Sequence, residues 1–197
     1  MSAPPVEPVA PSPAPQSSSQ TPLPDIAALW RALDAVPDPE IPVLSVVDLG
    51  MVRALEWEDE SGAVLVVRFT PTYSGCPATE QIADAIREAL VAQGVARVRV
   101  EIELSPPWTT DWMAESARQK LRDYGIAPPT REAGPLPRAV RVDVAGISPL
   151  RRAAIAVRCP RCGSAATALV SQFGSTACKA LYRCASCREP FDYFKPH

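Results

Sequence analysis

Histidine is nearly absent from this chain: a single residue, His197, occupies the last of its 197 positions. No Ser-His-Asp triad, Cys-His pair or carboxylate–histidine diiron site can therefore be assembled from the chain's own residues. The sequence also lacks the glycine-rich phosphate loop of nucleotide-binding enzymes and the glycine fingerprint of dinucleotide-binding domains. We therefore do not expect this chain to catalyse an oxidation or a hydrolysis by itself.

Basic residues are missing from the first part of the chain, where Arg31 is the first lysine or arginine. A secretory signal needs a basic segment before its apolar one, and organelle transit peptides are rich in arginine. No apolar run approaches the roughly 20 residues that a membrane-spanning helix requires. These absences predict a cytoplasmic protein that does not associate with a membrane.

Four of the six cysteines form two closely spaced pairs, Cys159-Pro-Arg-Cys162 and Cys184-Ala-Ser-Cys187. Two such pairs, about twenty residues apart, can present four thiolates to one tetrahedral zinc ion. The alternative is a set of disulfides or unrelated buried thiols, but disulfides need an oxidising compartment and no export signal is visible. We predict that Cys159, Cys162, Cys184 and Cys187 bind zinc in a closed site, which serves folding rather than catalysis.

The net charge of −2 is unevenly distributed along the chain. Residues 146–197 carry eight lysines or arginines and two acidic residues, whereas the remaining residues carry 12 basic and 20 acidic ones. A basic module beside an acidic domain indicates docking onto an acidic partner or onto the acidic part of the same chain. The alternative is that the positive charge balances the thiolates of the metal site.

The pattern of apolar and polar residues divides the chain into four parts. Residues 1–24 are a proline-rich leader that we expect to be disordered, residues 25–125 form an α+β domain, residues 126–150 are a linker, and residues 151–197 form a zinc ribbon. The α+β domain is predicted to contain a small mixed sheet with helices on one face, in the element order α-β-β-α-β-α.

Periodicity and turn residues also predict the individual elements. In the α+β domain they are helices over residues 26–37, 78–93 and 110–124 and strands over residues 51–57, 63–69 and 95–104. In the last of these strands, every second residue from Ala96 to Leu104 is expected to face the core. The ribbon is predicted to contain strands over residues 166–172 and 180–183, and Phe191, Tyr193 and Phe194 are expected to cover the cysteine pairs.

Cys76 lies in the segment Thr70-Pro-Thr-Tyr-Ser-Gly-Cys-Pro-Ala, between a predicted strand and a predicted helix. Pro77 is typical of the first turn of a helix, so free backbone N–H groups and the positive helix end would face the sulfur. Such an environment lowers the pKa of a thiol and favours a nucleophile or a metal ligand. The alternative is that Cys76 is a buried structural residue.

Three further residues are candidates for metal binding. Asp38 and Glu40 place two carboxylates in the proline-stiffened loop Asp38-Pro-Glu-Ile-Pro, where they could bind a metal or act as acid and base. More commonly such a pair belongs to a solvated turn in which the aspartate binds local backbone. Cys178 lies outside the two cysteine pairs and is either a ligand for iron or an iron–sulfur cluster, or a small core residue of the ribbon.

Several segments resemble the SufT-like iron–sulfur cluster assembly family. They are Asp38-Pro-Glu-Ile-Pro, Val46-Val-Asp-Leu-Gly-Met, the segment that contains Cys76, and Trp108-Thr-Thr-Asp-Trp-Met. With Gln172-Phe-Gly-Ser-Thr-Ala-Cys-Lys and Glu189-Pro-Phe-Asp-Tyr-Phe-Lys added, residues 25–197 resemble the PaaD (also PaaJ) family, the D subunits of 1,2-phenylacetyl-CoA epoxidase.

This resemblance implies the fold of an iron–sulfur assembly domain and an accessory place in aerobic phenylacetate degradation. In such a multicomponent monooxygenase the diiron centre belongs to another subunit, and a separate reductase carries flavin and a two-iron cluster. The implied partners are these other subunits, notably the iron–sulfur reductase. The family's cysteine corresponds to Cys76 and its carboxylates to Asp38 and Glu40. Together with Cys178, these residues are candidates to hold iron or a transient iron–sulfur cluster.

Two roles in that system follow as hypotheses: a maturation factor that helps install or repair a metal centre, and a stoichiometric structural or coupling subunit. A nucleic-acid-binding ribbon is not expected, although Phe191, Tyr193 and Phe194 would offer stacking groups, because its charges are spread over some fifty residues beside an acidic domain. A thiol enzyme based on Cys76 is disfavoured because no histidine or other evident base accompanies the sulfur.

Overall fold

A computed structural model describes residues 23–58, 64–129 and 157–196 of the chain. The α-helices are α1 (Ile26–Asp34), α2 (Thr79–Val91) and α3 (Glu115–Tyr124), and the strands are β1 (Val52–Trp57), β2 (Leu65–Phe69), β3 (Val98–Ile102), β4 (Thr167–Ser171), β5 (Lys179–Cys184) and β6 (Pro190–Phe194). Within these ranges no helix combines the length and the apolar character needed to cross a membrane. Almost all of the predicted leader, and the predicted linker beyond residue 129, lie outside the described residues.

Strands β1, β2 and β3 form a mixed sheet in that order, with β1 and β2 antiparallel and β2 and β3 parallel. Parallel strands need a crossover connection, which α2 supplies while packing against β3 and α1. The fold is α+β, as predicted. We call the described residues from 23 to 129 the α+β domain and residues 157–196 the ribbon; the domain boundaries given above remain predictions.

The core of the α+β domain explains why α2 forms where it does. Ile82, Ile86 and Leu90 recur at intervals of four residues and are all buried on one stripe of the helix. They meet fully buried side chains of the sheet and of α1, including Phe69 and Leu33. Since each such side chain contributes roughly 1.5–3 kcal/mol on burial, this domain is stabilised by ordinary apolar packing.

Helix α3 begins later than predicted. Thr109 caps a single 3₁₀ turn (Thr110–Trp112), and the helix itself starts only at Glu115. Between them Met113 has extended backbone and a side chain buried in the core, and the N–H of the next residue donates to the carbonyl of Asp48 (3.1 Å). This tertiary contact holds residue 114 outside the helix, so the predicted start at Thr109 or Thr110 is wrong.

The predicted inward face of β3 is correct only in part. Val98 and Val100 pack against the core, but the side chains of Ile102 and Leu104 are 50% and 54% exposed. Because β3 is the edge strand of the sheet, its inner face is covered only where α2 packs against it. Alternation in the sequence identified the strand, but it could not show how much of the inner face of the strand is buried beneath α2.

Strands β4, β5 and β6 form a second, antiparallel sheet in the ribbon. Its small core consists of seven residues, which are Ala127, Val157, Cys159, Ala180, Cys184, Phe191 and Tyr193. Phe191 and Tyr193 therefore lie beside the cysteine pairs, as expected. Phe194 does not, because it is buried in the core of the α+β domain instead.

Candidate functional site

The four cysteines of the two predicted pairs come together at one end of the ribbon, and we call them the four-cysteine site. Their sulfur atoms all lie within 4.8 Å of one another, with 3.7 Å between Cys159 and Cys187 and 3.6 Å between Cys162 and Cys184. A disulfide has an S–S distance of about 2.05 Å, whereas a tetrahedron with bonds of about 2.3 Å to zinc has edges of about 3.8 Å. All six cysteines are free thiols, and these four are spaced as ligands of one tetrahedral metal ion.

The two halves of the four-cysteine site have the same backbone geometry. In each, the N–H of the first cysteine donates to the carbonyl five residues later, at 2.9 and 3.0 Å. The residue after each second cysteine has a positive φ, +73° at Gly163 and +65° at Arg188. The backbone N–H of Cys187 donates to the sulfur of Cys184 and is the largest cause that lowers the pKa of Cys184 to about 6. The backbone N–H of Glu189 lowers the pKa of Cys187, but burial and hydrogen bonds to the neighbouring thiols together raise it to about 12, so the second thiol of this pair holds its proton. Among the described residues, these four are the one group of three or more histidine, cysteine or acidic side chains whose ligand atoms already lie close enough together for a single metal ion.

A second group of candidate residues meets where the ribbon contacts the α+β domain. The thiol of Cys178 donates to the carboxylate of Glu40 (3.3 Å), and the ammonium of Lys179 donates to the backbone carbonyl of the same residue (3.1 Å). The sulfur of Cys178 also lies 3.0 Å from the hydroxyl of Thr176. Cys178 and Glu40 were both predicted as candidate site residues, and the structure brings them into contact although they belong to different domains.

Cys76 lies in the same neighbourhood. It is half-buried in the turn before α2, and its carbonyl accepts hydrogen bonds from the backbone N–H (3.3 Å) and hydroxyl (2.8 Å) of Thr79. The carboxylate of Glu40 is close enough to raise the pKa of Cys76, and the thiols of Cys76 and Cys178 both act on the pKa of Tyr73. We call Cys76, Cys178, Glu40 and Tyr73 the thiol cluster.

Both thiols of this cluster are protonated at neutral pH. Burial raises the pKa of Cys76, and the carboxylates of Glu40 and Asp38 raise it further. Burial also raises the pKa of Cys178, to about 12. The helix-end N–H of Ala78 does lower the pKa of Cys76, but less than burial raises it. The predicted lowering of the Cys76 pKa is therefore wrong, because the helix end is only one part of the environment of the sulfur.

Asp38 and Glu40 do not act as a pair of carboxylates. Asp38 is buried, and its Oδ1 accepts hydrogen bonds from the backbone N–H groups of Glu40 (2.9 Å) and Ile41 (2.8 Å). Burial raises the pKa of Asp38, although these two hydrogen bonds lower it. Asp38 thus shapes the loop, and it thereby presents the side chain of Glu40 to Cys178.

Two contributors to this region were not predicted as site residues, Tyr73 and Lys179. Tyr73 lies within the same motif as Cys76, and Lys179 directly follows Cys178. The side chain of Lys179 is only 6% exposed and its ammonium lies 4.0 Å from the carboxylate of Asp192. Burial of a lysine depends on packing between distant segments, so no local pattern marks it.

Comparisons with known proteins assign both parts of the chain. The family described as iron-sulfur cluster assembly protein matches residues 26–104, and the PaaD zinc beta ribbon domain matches residues 146–195. A protein of Escherichia coli (strain K12), provisionally named as the D subunit of 1,2-phenylacetyl-CoA epoxidase, is 53% identical over 172 residues, which cover 87% of this chain and 93% of that protein. The Fe-S protein maturation auxiliary factor SufT of Staphylococcus aureus (strain USA300) is 37% identical over 85 residues, 43% of this chain and 93% of that protein.

Among solved structures, a domain of unknown function (DUF59) from Bacillus anthracis is 32% identical, with a TM-score of 0.44 over 48% of this chain and 89% of that one. A conserved hypothetical protein from Thermotoga maritima is 33% identical, with a TM-score of 0.42 over 49% of this chain and 93% of that one. Since more than half of the aligned residues are identical over nearly the whole E. coli protein, the chain belongs to the PaaD family, the D subunits of 1,2-phenylacetyl-CoA epoxidase.

Proposed function

We propose that this chain is an accessory maturation factor of a phenylacetyl-CoA epoxidase system. It helps to install or repair the iron–sulfur or other iron centre of a partner protein, and it does not act on phenylacetyl-CoA. Its partners are the other subunits of the system, notably the iron–sulfur reductase, and its place is the cytoplasm. Membership of the PaaD family supports a place in the phenylacetyl-CoA epoxidase system. The similarity to the maturation factor SufT supports a role in the maturation of metal centres.

The observation that carries this proposal is the contact of Cys178 with Glu40 between the two domains, with Cys76 near enough for the carboxylate of Glu40 to act on its pKa. These three side chains are less closely grouped than the four cysteines, so they would have to move together around an ion. Thiolates are the usual ligands of iron–sulfur clusters, and a carboxylate oxygen is a common ligand of iron. Iron or a cluster would be cargo here, bound and then passed on. Because both thiols hold their protons at neutral pH, a cation must displace those protons in order to bind, and reprotonation favours its release.

The four-cysteine site of the ribbon is proposed to hold a resident zinc ion. Its spacing and four-sulfur donor set fit zinc, and a site with four protein ligands leaves no open position for a substrate. The four-cysteine site offers four closely spaced sulfur ligands, whereas the thiol cluster offers two thiols and one carboxylate. We therefore propose that the first site retains its metal and that the second gives its metal up.

Three alternatives differ in their support. The name of the E. coli relative, which is that of an epoxidase component, favours a stoichiometric structural or coupling subunit as the second candidate. Nucleic acid binding loses its expected stacking groups, because Phe191, Tyr193 and Phe194 are all buried. A thiol enzyme is disfavoured further, because the raised pKa of Cys76 leaves little thiolate at neutral pH.

Reconstitution of the epoxidase separates maturation from a structural role in the complex. Partner subunits that already carry their metal centres should be fully active without this chain, whereas metal-free partners should need this chain in addition to iron and sulfide. If pre-loaded partners still require stoichiometric amounts of this chain, maturation is the wrong role and the structural role replaces it.

Variants of the thiol cluster test the proposed site within the same assay. Cys178→Ala and Glu40→Gln should each slow the loading of metal-free partners by about tenfold or more, since each removes a proposed ligand of the metal. Glu88→Gln is the matched control, because Glu88 is an exposed carboxylate on α2 outside the thiol cluster. Equal loading rates for all three variants would show that the thiol cluster takes no part.

A further inference from the structure

The ribbon contacts the α+β domain through buried side chains. Cys178 and Phe194 are 2% and 1% exposed, and both belong to the hydrophobic core of the α+β domain, where Phe194 meets Trp108 edge-on with 6.1 Å between ring centroids. In the opposite direction, Ala127 lies in the core of the ribbon. Its N–H donates to the carbonyl of Asp192 (2.8 Å), and its carbonyl accepts from the N–H of Phe194 (3.0 Å). Each domain thus completes the core of the other.

Strand β5 joins the four-cysteine site to the thiol cluster. Its first residue, Lys179, donates to the carbonyl of Glu40, and its last residue, Cys184, is one of the four clustered thiols. Six extended residues span about 17 Å. Strand β6 pairs along β5 and begins three residues after Cys187. Both strands that contact the α+β domain are therefore anchored at their other ends by metal ligands.

Lys179 holds the contact in place. Its ammonium is buried between the carbonyl of Glu40 (3.1 Å) and the carboxylate of Asp192 (4.0 Å), which also accepts from the hydroxyl of Ser175 (3.0 Å). Removing this buried ammonium takes the side-chain donor from the carbonyl of Glu40 and the counter-charge from Asp192, which keeps its hydrogen bond from Ser175; the loss is costly because the ammonium lies away from water. Lys179 is thus a positioning residue for the loop that presents Glu40 to Cys178.

The ribbon cannot hold this arrangement without its metal. Among the described residues its core contains seven, of which Cys159 and Cys184 are themselves ligand candidates and Ala127 comes from beyond the end of α3. A core of this size does not outweigh the entropy of the chain unless a metal crosslinks it. Loss of the metal would release β5 and β6, and Cys178 and Lys179 with them.

We propose that the metal of the four-cysteine site controls the thiol cluster, which is complete only while that site is loaded. The purpose of this control rests on the proposed function, since it would prevent iron cargo from binding to a partly folded chain. The coupling itself is independent of that function. Because coupling between the affinities of two sites is reciprocal, residues that hold the thiol cluster together must also strengthen the binding of the ribbon metal.

The first test compares two lysines in the full-length, zinc-loaded chain. Lys179→Met removes the ammonium and keeps the stem, and Lys195→Met is the matched control because its ammonium also donates to a backbone carbonyl, that of Gln172 (3.3 Å). We expect Lys179→Met to weaken zinc affinity about tenfold, measured by equilibrium competition with a chelator, and to raise amide exchange over residues 38–44 by a similar factor. Lys195→Met should stay within about twofold of wild type on both measures. Equal behaviour of the two variants would overturn the proposal.

The second test removes zinc from the unmodified chain. Alkylation of Cys178, followed by mass spectrometry, and amide exchange over residues 38–44 should both increase, while the amides of α2 stay protected; added zinc should restore the original rates. An unchanged loop, or loss of protection in α2 at the same time, would contradict control of the thiol cluster by the ribbon metal. Neither measurement depends on iron loading, so failure of the maturation role would leave this result intact.

Discussion

The α+β domain and the ribbon are stabilised in different ways. In the part of the chain that the structure describes, the main hydrophobic core contains 25 buried residues, two of them from the ribbon, whereas the ribbon core contains seven. The first domain can therefore carry polar groups such as Asp38 and Cys76 at the edge of a core that does not depend on them. In the ribbon, Cys159 and Cys184 are core residues and metal ligands at once. In the α+β domain the candidate site residues can therefore change without loss of the core. In the ribbon the same cysteines form part of the core and of the four-cysteine site.

The cysteines follow the same division. The four cysteines of the ribbon have sulfur atoms within 4.8 Å of one another, whereas Cys76 and Cys178 lie between the domains, where burial raises both pKa values. A protonated thiol must lose its proton before it binds a metal. One residue type thus supplies the closely spaced sulfurs of the proposed zinc site and the two protonated thiols of the proposed iron site.

The largest effect should come from Cys162→Ser. It should unfold the ribbon, because structural zinc contributes about 10–16 kcal/mol to folding in small zinc domains. The α+β domain should still unfold cooperatively. Zinc content and limited proteolysis measure the outcome, with Ser186→Ala, which alters only a hydroxyl contact to Ser164, as the control. A Cys162→Ser chain with full zinc content and a protease-resistant ribbon would show that the metal assignment is wrong.

A core truncation should affect the other domain without affecting the metal. Ile86 is fully buried on α2, so Ile86→Ala should lower the free energy of unfolding by about 2–5 kcal/mol. Val91→Ala, at an exposed position near the end of the same helix, should change it by less than about 0.5 kcal/mol. Denaturant unfolding measures both values, and zinc content should stay the same. Loss of zinc in folded Ile86→Ala would contradict the separation of the two cores.

Two glycines with similar backbone angles allow a finer comparison. Gly50 (φ +64°) lies against the carbonyl of Trp112, and a Cβ there would collide with it, whereas a Cβ on Gly163 (φ +73°) would meet nothing within 4 Å. Gly50→Ala should therefore cost about 2–4 kcal/mol, and Gly163→Ala only about 1–2 kcal/mol. Arg188 already occupies the equivalent turn with a positive φ. Equal losses in thermal unfolding would mean that the contact with Trp112 is unimportant.

The smallest effect on stability should come from Cys76→Ser. The sulfur is half-buried and its removal leaves little empty space, so the free energy of unfolding should change by less than about 1 kcal/mol. Support of the epoxidase in cells should nevertheless be lost. If Cys76 were only a packing residue, a buried hydroxyl would cost about 1–3 kcal/mol and activity would fall in proportion to stability. Thermal unfolding and cell growth on phenylacetate together distinguish the two cases.

The reactivity of Cys76 should depend on pH in the direction set by its environment. Because burial raises its pKa above the ordinary value of 9, little thiolate is present at neutral pH and alkylation should be slow there. The rate should rise as the pH passes above 9, and Cys178, with a pKa of about 12, should react later still. The same thiols after denaturation provide the reference. Rapid alkylation of native Cys76 near pH 7 would contradict the buried environment.

Local patterns predicted the features that depend on local spacing. Two residues between paired cysteines are enough to place two sulfurs on one ion, and the spacing of Ile82, Ile86 and Leu90 is enough to define α2. The candidate residues Cys76 and Glu40 were likewise visible from their motifs. The errors concern features set by distant contacts, such as the delayed start of α3 at Glu115, which a carbonyl of Asp48 imposes.

The sequence by itself determined the α+β class, the four cysteines that come together in the ribbon, and the candidate residues Cys76, Cys178 and Glu40. Only the tertiary structure decided that Cys178 meets Glu40, 138 positions away, and that both thiols of the thiol cluster stay protonated. The physical reason is that a hydrogen bond between two domains, and the burial around it, depend on how their cores interlock. Here Phe194 enters one core and Ala127 the other, and no periodicity along the chain encodes that exchange.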